Sequence, residues 1–341
     1  KRLILLLILT EWMNVRSNIS LGDLYSILNA SSSWVILTHQ KPDGDALGSA
    51  SALVVHGKER GKRVIWGGPD PLPDTYAFLP FGDEYQVFDN HLPPVEGKTS
   101  IIFLDISNIE RSVSNIQELQ NMCTFINIDH HGDNTLFGDY YYVDETSSSL
   151  GEILWSLFLI SSTGYSFQSA LGLYTAIVTD SGNFSFSSTS PRTHEAAADL
   201  IRRGVPPAEM SQKIFYNQPL QSLHLWGRVF ERTCLFGNVR KACLSWITLE
   251  DFSCLNSDPA DTEGLVNELL KVKDVVFAVL LVEEKDRIRI SLRSRGEISA
   301  QKVAHRFGGG GHKQAAGCQL SLSLEEAKKH IIRVITEDMD G

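Results

Sequence analysis

Trp34-Val35-Ile36-Leu37-Thr38 runs directly into His39-Gln40-Lys41-Pro42-Asp43-Gly44-Asp45. The first five residues are a short apolar run without alternation, which predicts a strand buried on both faces. A helical pattern follows from about Ala46 to Arg60 and stops at Gly61. The same grammar recurs downstream. Arg63 to Trp66 is the next strand and ends in Gly67-Gly68; Ser100 to Leu104 ends in Asp105; Thr124 to Ile128 ends in Asp129-His130-His131. Continuous apolar strands separated by helices predict a parallel sheet covered on both faces. Ligands of such sheets bind beyond the carboxyl ends of the strands, so these polar strand ends can converge.

Helices are predicted further on over about 146–160 and 168–179. A turn at Ser181-Gly182, a Ser/Thr-rich stretch and a helix starting near Pro191 follow. Residues 205–228 hold Pro206, Pro207 and Pro219 among helical patterns and read as a helical connector. Strands near 239–247, 275–283 and 287–293 then alternate with helices near 262–271, 299–306 and 324–338. The expected fold class is α/β: an N-terminal parallel-sheet domain over 15–204, the connector, and a smaller α/β substrate domain over 229–341, with a cleft between the domains. The length of 341 residues suits two domains of about 150 residues each.

With 43% apolar and 21% charged residues, a core can form and global disorder is excluded. The net charge of −10 argues against coating long duplex nucleic acid, which needs a broad basic surface. A small phosphate ligand held by a few local cations stays open. Cys123, Cys234, Cys243, Cys254 and Cys318 form no C-x-x-C pair and read as reduced thiols of a cytoplasmic protein. Lys1-Arg2 and the apolar run Leu3 to Leu9 resemble the start of a signal peptide. No small-x-small site follows in Thr10-Glu11-Trp12, and the run is too short to span a bilayer. The expectation is an upstream extension or a packed helix, with no membrane partner.

The H-x-x-x-D-x-D spacing from His39 to Asp45 has a chemical sense. The loop can place the imidazole and one carboxylate on one ion, while the other carboxylate points toward a second. Imidazole and carboxylate without thiolate suit Mn²⁺ or a similar ion, and Mg²⁺ less well. Two ions ~3.5–4 Å apart would share a carboxylate and activate a water for phosphoryl chemistry. A single Asp after a strand is ordinarily a turn residue or cap. Clusters at three strand ends favour a metal centre instead.

In the second half, Gly308 to Gly311 alone would be a flexible turn. With His312 and the small Ala315-Ala316-Gly317 following, a backbone nest that admits a phosphate becomes the sharper reading. Ile288, Ile290 and Leu292 alternate with Arg289, Ser291 and Arg293, a pattern that suits either a solvated strand face or a phosphate clamp. Lys302, Arg306 and Lys313 add local positive charge. Trp155, Trp226, Trp246 and Tyr140-Tyr141-Tyr142 read as core or interface. His56, His91, His224 and His330 have no motif partners and receive no role.

His39-x-x-Pro42-Asp43-x-Asp45-Ala46-x-Gly48-Ser49, Asp105, Asp129-His130-His131 and Thr179-Asp180-Ser181-Gly182 resemble, in order, the four motifs of the DHH phosphoesterases. Gly308-Gly309-Gly310-Gly311-His312-x-x-Ala315-Ala316-Gly317, preceded by Ser291-Leu292-Arg293-Ser294, resembles the DHH-associated substrate domain. The resemblance covers about residues 20–340. In size and motif wording it is nearest to the bacterial oligoribonuclease/pAp phosphatase group, the nanoRNases. The RecJ exonucleases carry extra domains, and family II pyrophosphatases lack the Gly-rich His motif.

The resemblance implies that His39, Asp43 and Asp105 bind one Mn²⁺, and that Asp45, Asp105, His130 and Asp180 bind another, with Mg²⁺ or Co²⁺ as substitutes. Asp105 would bridge. Asp129 would orient a ligand histidine, and His131 would face the scissile phosphate. Arg111 would contact substrate, and Ser291, Arg293, Gly309, Gly310, Gly311 and His312 would grip its terminal phosphate or ribose. The implied reaction is hydrolysis of short oligoribonucleotides and of 3′-phosphoadenosine 5′-phosphate (pAp) by a water activated between two metals. Alternatives are a cyclic-dinucleotide (c-di-AMP) or linear-dinucleotide (pApA) phosphodiesterase, and a catalytically silent nucleotide- or RNA-binding sensor. Partners would be short RNA or small nucleotides, and a homodimer is common among relatives.

Overall fold

The computed structural model describes residues 15–88, 92, 98–114, 116–120, 122–161, 164–237, 241–262, 264–311 and 313–340. The apolar run of residues 3–9 and His312 lie outside the described residues. The chain divides into two compact units, Lys1–Asn217 and Gln218–Gly341.

In the first unit, β1 (Val15–Ser17) and α1 (Leu21–Ala30) precede β2 (Ser33–Leu37), α2 (Gly44–Lys58), β3 (Arg63–Gly68), β4 (Gln86–Val87) and β5 (Thr99–Leu104). Then come β6 (Thr124–Asp129), β7 (Tyr140–Asp144), α3 (Leu150–Ile160), α4 (Phe167–Asp180), α5 (Pro191–Arg202) and α6 (Pro207–Phe215). The strand order is β1-β7-β6-β5-β2-β3-β4. All neighbours run parallel except β1, which is antiparallel to β7. Every residue of β2 and β5 is buried, as their unbroken apolar runs require. The four expected strands are β2, β3, β5 and β6. The tyrosine run, read as core or interface, is β7, where only Tyr142 of the three is buried.

Helices α2 and α4 touch backbone to backbone. A Cβ on Gly48 would stand 2.5 Å from the Gly172 carbonyl oxygen, and one on Gly172 would stand 2.5 Å from that of Gly48. Ala176 and Ala52 complete the crossing on either side. This close approach brings the start of α2 and the end of α4 to the same place.

The second unit contains α7 (Leu220–Arg232), β8 (Cys234–Phe236), β9 (Lys241–Ile247), α8 (Leu249–Leu255), α9 (Leu265–Leu269), β10 (Val275–Glu283) and β11 (Ile288–Ser294). It ends with α10 (Ala300–His305), β12 (Gly310–Gly311), β13 (Ala315–Leu320) and α11 (Leu324–Asp340). The strand order is β12-β13-β11-β10-β9-β8, and only β9 and β10 pair in parallel. One correction concerns the glycine run. It was expected with Ala315 to Gly317 as a backbone nest, but Gly310–Gly311 pairs antiparallel with β13. Glycine is needed beside it because a Cβ on Gly309 would stand 2.1 Å from the Gly317 carbonyl oxygen. All five cysteines are free thiols. No helix among the described residues is long and apolar enough to cross a membrane.

Candidate metal centre

The site is built at the carboxyl ends of β2, β5 and β6, with the ends of α2 and α4. His39 follows β2, and its Nδ1 lies 2.7 Å from the Gln40 carbonyl oxygen, which makes Nδ1 the protonated nitrogen. Its Nε2 is left 3.5 Å from Asp105 Oδ2 and 3.9 Å from Asp43 Oδ1. Asp43 caps α2, where its Oδ1 accepts the N–H groups of Asp45 and Ala46 at 3.1 Å. The cap and ligand readings are therefore compatible.

Asp45, in the first turn of α2, is buried against the N-terminus of α3. It accepts the N–H of Leu150 at 2.6 Å and that of Gly151 at 3.0 Å. Ser49 Oγ donates to it at 3.1 Å. The chain leaves β5 at Asp105 with φ at 62°, a conformation that Asp tolerates but most residues avoid.

His130 Nε2 is the meeting point of the second group. It lies 3.5 Å from Asp45 Oδ2, 3.4 Å from Asp105 Oδ1 and 3.6 Å from Asp180 Oδ2. Its Nδ1 faces the Ser147 carbonyl oxygen at 3.4 Å. Two sets of donor atoms each fall within 4.8 Å of one another, His39/Asp43/Asp105 and Asp45/His130/Asp180. A third such set is Asp105/Asp129/His130/His131.

Asp129 is buried and fully engaged. Its Oδ1 accepts His130 N–H at 2.7 Å and His131 Nδ1–H at 2.7 Å, while Asn134 Nδ2 donates to Oδ2 at 2.5 Å. The ring it orients is thus His131, not the ring of His130. Arg111 is exposed at the end of a short turn, and its carbonyl accepts the Gln40 N–H at 3.0 Å.

The electrostatics are those of a cation site. Burial alone would lower the histidine pKa values. The Asp105 and Asp43 carboxylates outweigh it at His39, as do Asp105, Asp180 and Asp45 at His130, and both imidazoles are raised. At His131 burial is overcome by Asp129 and Asp105, which push the pKa up to about 9. Burial, together with neighbouring carboxylates, holds Asp45 well above the ordinary range and Asp180 at about 6. Asp105 goes the other way: burial is outweighed by the facing imidazoles, and its pKa lies well below the usual value. A field that keeps protons on three imidazoles also favours divalent cations, which replace those protons. Asp105 Oδ1 is buried without a hydrogen-bond partner, and it belongs to the carboxylate where the groups overlap. The donor set of imidazole and carboxylate without thiolate fits a hard or borderline divalent ion.

In the second unit, Ser291, Gly317 and Gly310 form one cross-strand row. Arg293 Nε donates to Asn267 Oδ1 at 2.8 Å. Arg289, Ser291 and Arg293 occupy the partly exposed positions of β11, and the apolar residues between them are buried. Sequence reasoning missed Gln40, Asn134, Ser147, Glu152 and Asn267. Only Glu152 carries a local signal, as Ser149-x-x-Glu152 ahead of an apolar run is a helix-start pattern.

Fold and site together define a two-unit α/β phosphoesterase. Residues 33–179 match the DHH family, N-terminal domain, and residues 252–339 match the DHHA1 domain. The chain belongs to the DHH phosphoesterases, a family of hydrolases. It is 33% identical to the bifunctional oligoribonuclease and PAP phosphatase NrnA of Thermus thermophilus, across 89% of each chain. To the protein of the same description from Bacillus subtilis it is 29% identical, over 86% of this chain and 91% of that one. The crystal structure of an exopolyphosphatase-related protein from Bacteroides fragilis shares the fold, with a TM-score of 0.82 and 24% identity over 94% of this chain and 95% of that one.

Proposed function

We propose that this chain is a manganese-dependent phosphoesterase that hydrolyses short oligoribonucleotides and pAp. The observation that carries the reading is the overlap of ligand groups at Asp105, whose buried Oδ1 has no hydrogen-bond partner. The names of the most similar relatives support the substrate class.

In this reading His39, Asp43 and Asp105 hold one ion, and Asp45, Asp105, His130 and Asp180 hold the other. Such ions acidify water and neutralise charge on phosphoryl oxygens when bound. Asp129 fixes the His131 ring through Nδ1 and keeps it protonated, so that the imidazolium can meet charge developing on a phosphoryl oxygen. Arg111 supplies an exposed cation to the same anion. Ser291, Arg293 and His312, with the glycines Gly309, Gly310 and Gly311 beside them, bind the substrate's terminal phosphate or ribose, a task that suits the guanidinium fork.

The test is product analysis with Mn²⁺ on pAp, pApA and cyclic di-AMP in parallel, with an EDTA control. AMP from pAp and mononucleotides from pApA, both lost in EDTA, support the proposal. Ring opening of cyclic di-AMP at an equal or higher rate would replace it with cyclic-dinucleotide turnover. Nucleotide binding without turnover would make the chain a sensor.

A further inference from the structure

Arg192, in the first turn of α5, lies outside every motif discussed above, yet it ties together the segment that supports two of the candidate ligands. Its Nη1 donates to Asp144 Oδ2 at 3.1 Å and to Ser147 Oγ at 3.3 Å. Nη2 donates to Ser156 Oγ at 2.8 Å, and Nε stands 3.4 Å from Glu152 Oε1. Glu152 is buried. Its Oε2 accepts Ser148 Oγ–H at 2.7 Å and Thr193 Oγ1–H at 2.9 Å. Asp144, also buried, accepts Thr146 Oγ1–H at 2.6 Å and Ser147 Oγ–H at 2.8 Å. The turn from Asp144 to Gly151 is thus braced at both ends by one guanidinium.

That turn presents three backbone groups to the centre. The Ser147 carbonyl faces His130 Nδ1, and the Leu150 and Gly151 N–H groups hold Asp45. His130 and Asp45 belong to one donor group, Asp45/His130/Asp180. Among the described residues, Arg192, Asp144 and Glu152 make no hydrogen bond or ion pair with His39, Asp43 or Asp105.

We infer that Arg192, with Glu152 and Asp144, is a positioning device that sets the affinity of the Asp45/His130/Asp180 ion selectively. The inference rests on the metal-centre reading above. A lysine at this position is a single point charge and cannot hydrogen-bond Asp144, Ser147 and Ser156 while also pairing with Glu152. Partners that orient metal ligands in this way typically alter affinity by about 10–100-fold when changed.

The experiment titrates Mn²⁺ into the full chain and reads free Mn²⁺ by electron paramagnetic resonance. The wild type, Arg192→Lys, Glu152→Gln, Asp180→Asn and the Arg192→Lys/Asp180→Asn double variant are compared. Melting in EDTA is recorded for each. The expected result is two ions on the wild type, and one of them bound about 10–100-fold more weakly in Arg192→Lys. The other ion should be unchanged. The double variant should hold the other ion as tightly as Asp180→Asn does, since both changes act on the Asp45/His130/Asp180 ion. Turnover lost at low Mn²⁺ should return at high Mn²⁺, which a damaged fold would not allow. Glu152→Gln keeps the shape of the brace and removes its charge, so it carries the test if Arg192→Lys fails to fold.

Wild-type affinity for both ions in the folded variants would overturn the inference. So would equal weakening of both ions with a lower melting point in EDTA, since the role would then be structural only. A wild type that binds no Mn²⁺ would instead remove the metal-centre reading, and the brace would fall with it.

Discussion

Gly48→Ala tests whether the crossing of α2 and α4 positions the centre. The added Cβ would stand 2.5 Å from the Gly172 carbonyl oxygen and 2.8 Å from the Ala176 nitrogen, both backbone atoms. It falls about 0.9 Å short of ordinary contact, and close-packed backbone cannot absorb that by a rotamer change. Overpacking of this kind costs about 1–3 kcal/mol, offset by about 1 kcal/mol from replacing glycine inside a helix. The net loss should be about 2 kcal/mol at most, a fall of about 4–8 °C in Tm for a unit of this size. The larger effect should be on chemistry. Asp45 lies one helical turn before Gly48 and Asp180 one turn after Ala176, so parting the helices by ~1 Å separates two proposed ligands of one ion and should lower turnover about 100-fold. Gly227→Ala is the control. Gly227 sits inside α7 in open space, and Ala there should stabilise by about 0.5–1 kcal/mol without touching turnover. The assays are calorimetric melting and Mn²⁺-dependent hydrolysis of pApA. A Gly48→Ala protein with wild-type melting and wild-type turnover would refute the reasoning.

Three further outcomes are expected. Asp105→Ala should abolish Mn²⁺-dependent turnover while far-ultraviolet circular dichroism stays native; near-wild-type rates would remove the bridging role. In EDTA the protein should lose stability as pH rises. The folded-state pKa of His131, about 9, lies above its unfolded value of about 6.5, so its contribution is complete below pH ~6.5 and disappears as pH passes ~9. Thermal melts across that window should show the loss in the wild type, a shallower loss in His131→Gln, and a rise with pH when Mn²⁺ is saturating. His56 behaves oppositely. It is buried, stacked at 4.0 Å on Phe158, and has no hydrogen-bond partner on either nitrogen. Burial, together with the nearby Arg60, lowers its pKa to about 3. Stability should therefore be lost as pH falls from ~6.5 toward 3, by up to about 1.4 kcal/mol per pH unit. His56→Leu should remove that slope in acid melts, and an unchanged slope would show that the imidazole is already paired.

The parallel sheet was legible because β2 and β5 are buried on both faces and so carry apolar runs, and β6 breaks its run only at the buried Asn127. The site followed from it, since His39, Asp105 and Asp129 each stand where such a strand ends. Asp180 was not legible from the chain alone. It ends a helix, and what delivers it is the approach of Gly48-x-x-x-Ala52 to Gly172-x-x-x-Ala176, a pairing that no local pattern announces. The tyrosine strand β7 was missed because its side chains straddle core and surface. Strand β13 was missed because Ala315-Ala316-Gly317 has the composition of a loop, and its strand character comes from pairing with β11 and β12. Arg192 gave no signal at all, because its partners Asp144, Ser147, Glu152 and Ser156 acquire meaning only once α5 folds against the end of β7 and the start of α3.

The proposed ligands share a construction that explains how so many charges are assembled in a largely buried place. Asp43 is first a cap of its own helix, and Asp45 is first an acceptor for the N-terminus of α3. Each carboxylate is oriented by backbone N–H groups before any ion is considered. His39 and His130 are likewise turned by backbone carbonyls that face Nδ1 and leave Nε2 inward. An ion arriving at such a site finds little side-chain freedom left to remove, so its binding energy is not spent on ordering the ligands. Asp105 is the exception, because its orientation comes from a left-handed backbone turn that costs about 1–2 kcal/mol and leaves one oxygen without a donor. The strained residue is thus also the one proposed to be shared, as expected if the oxygen left without a donor is the one reserved for the ions.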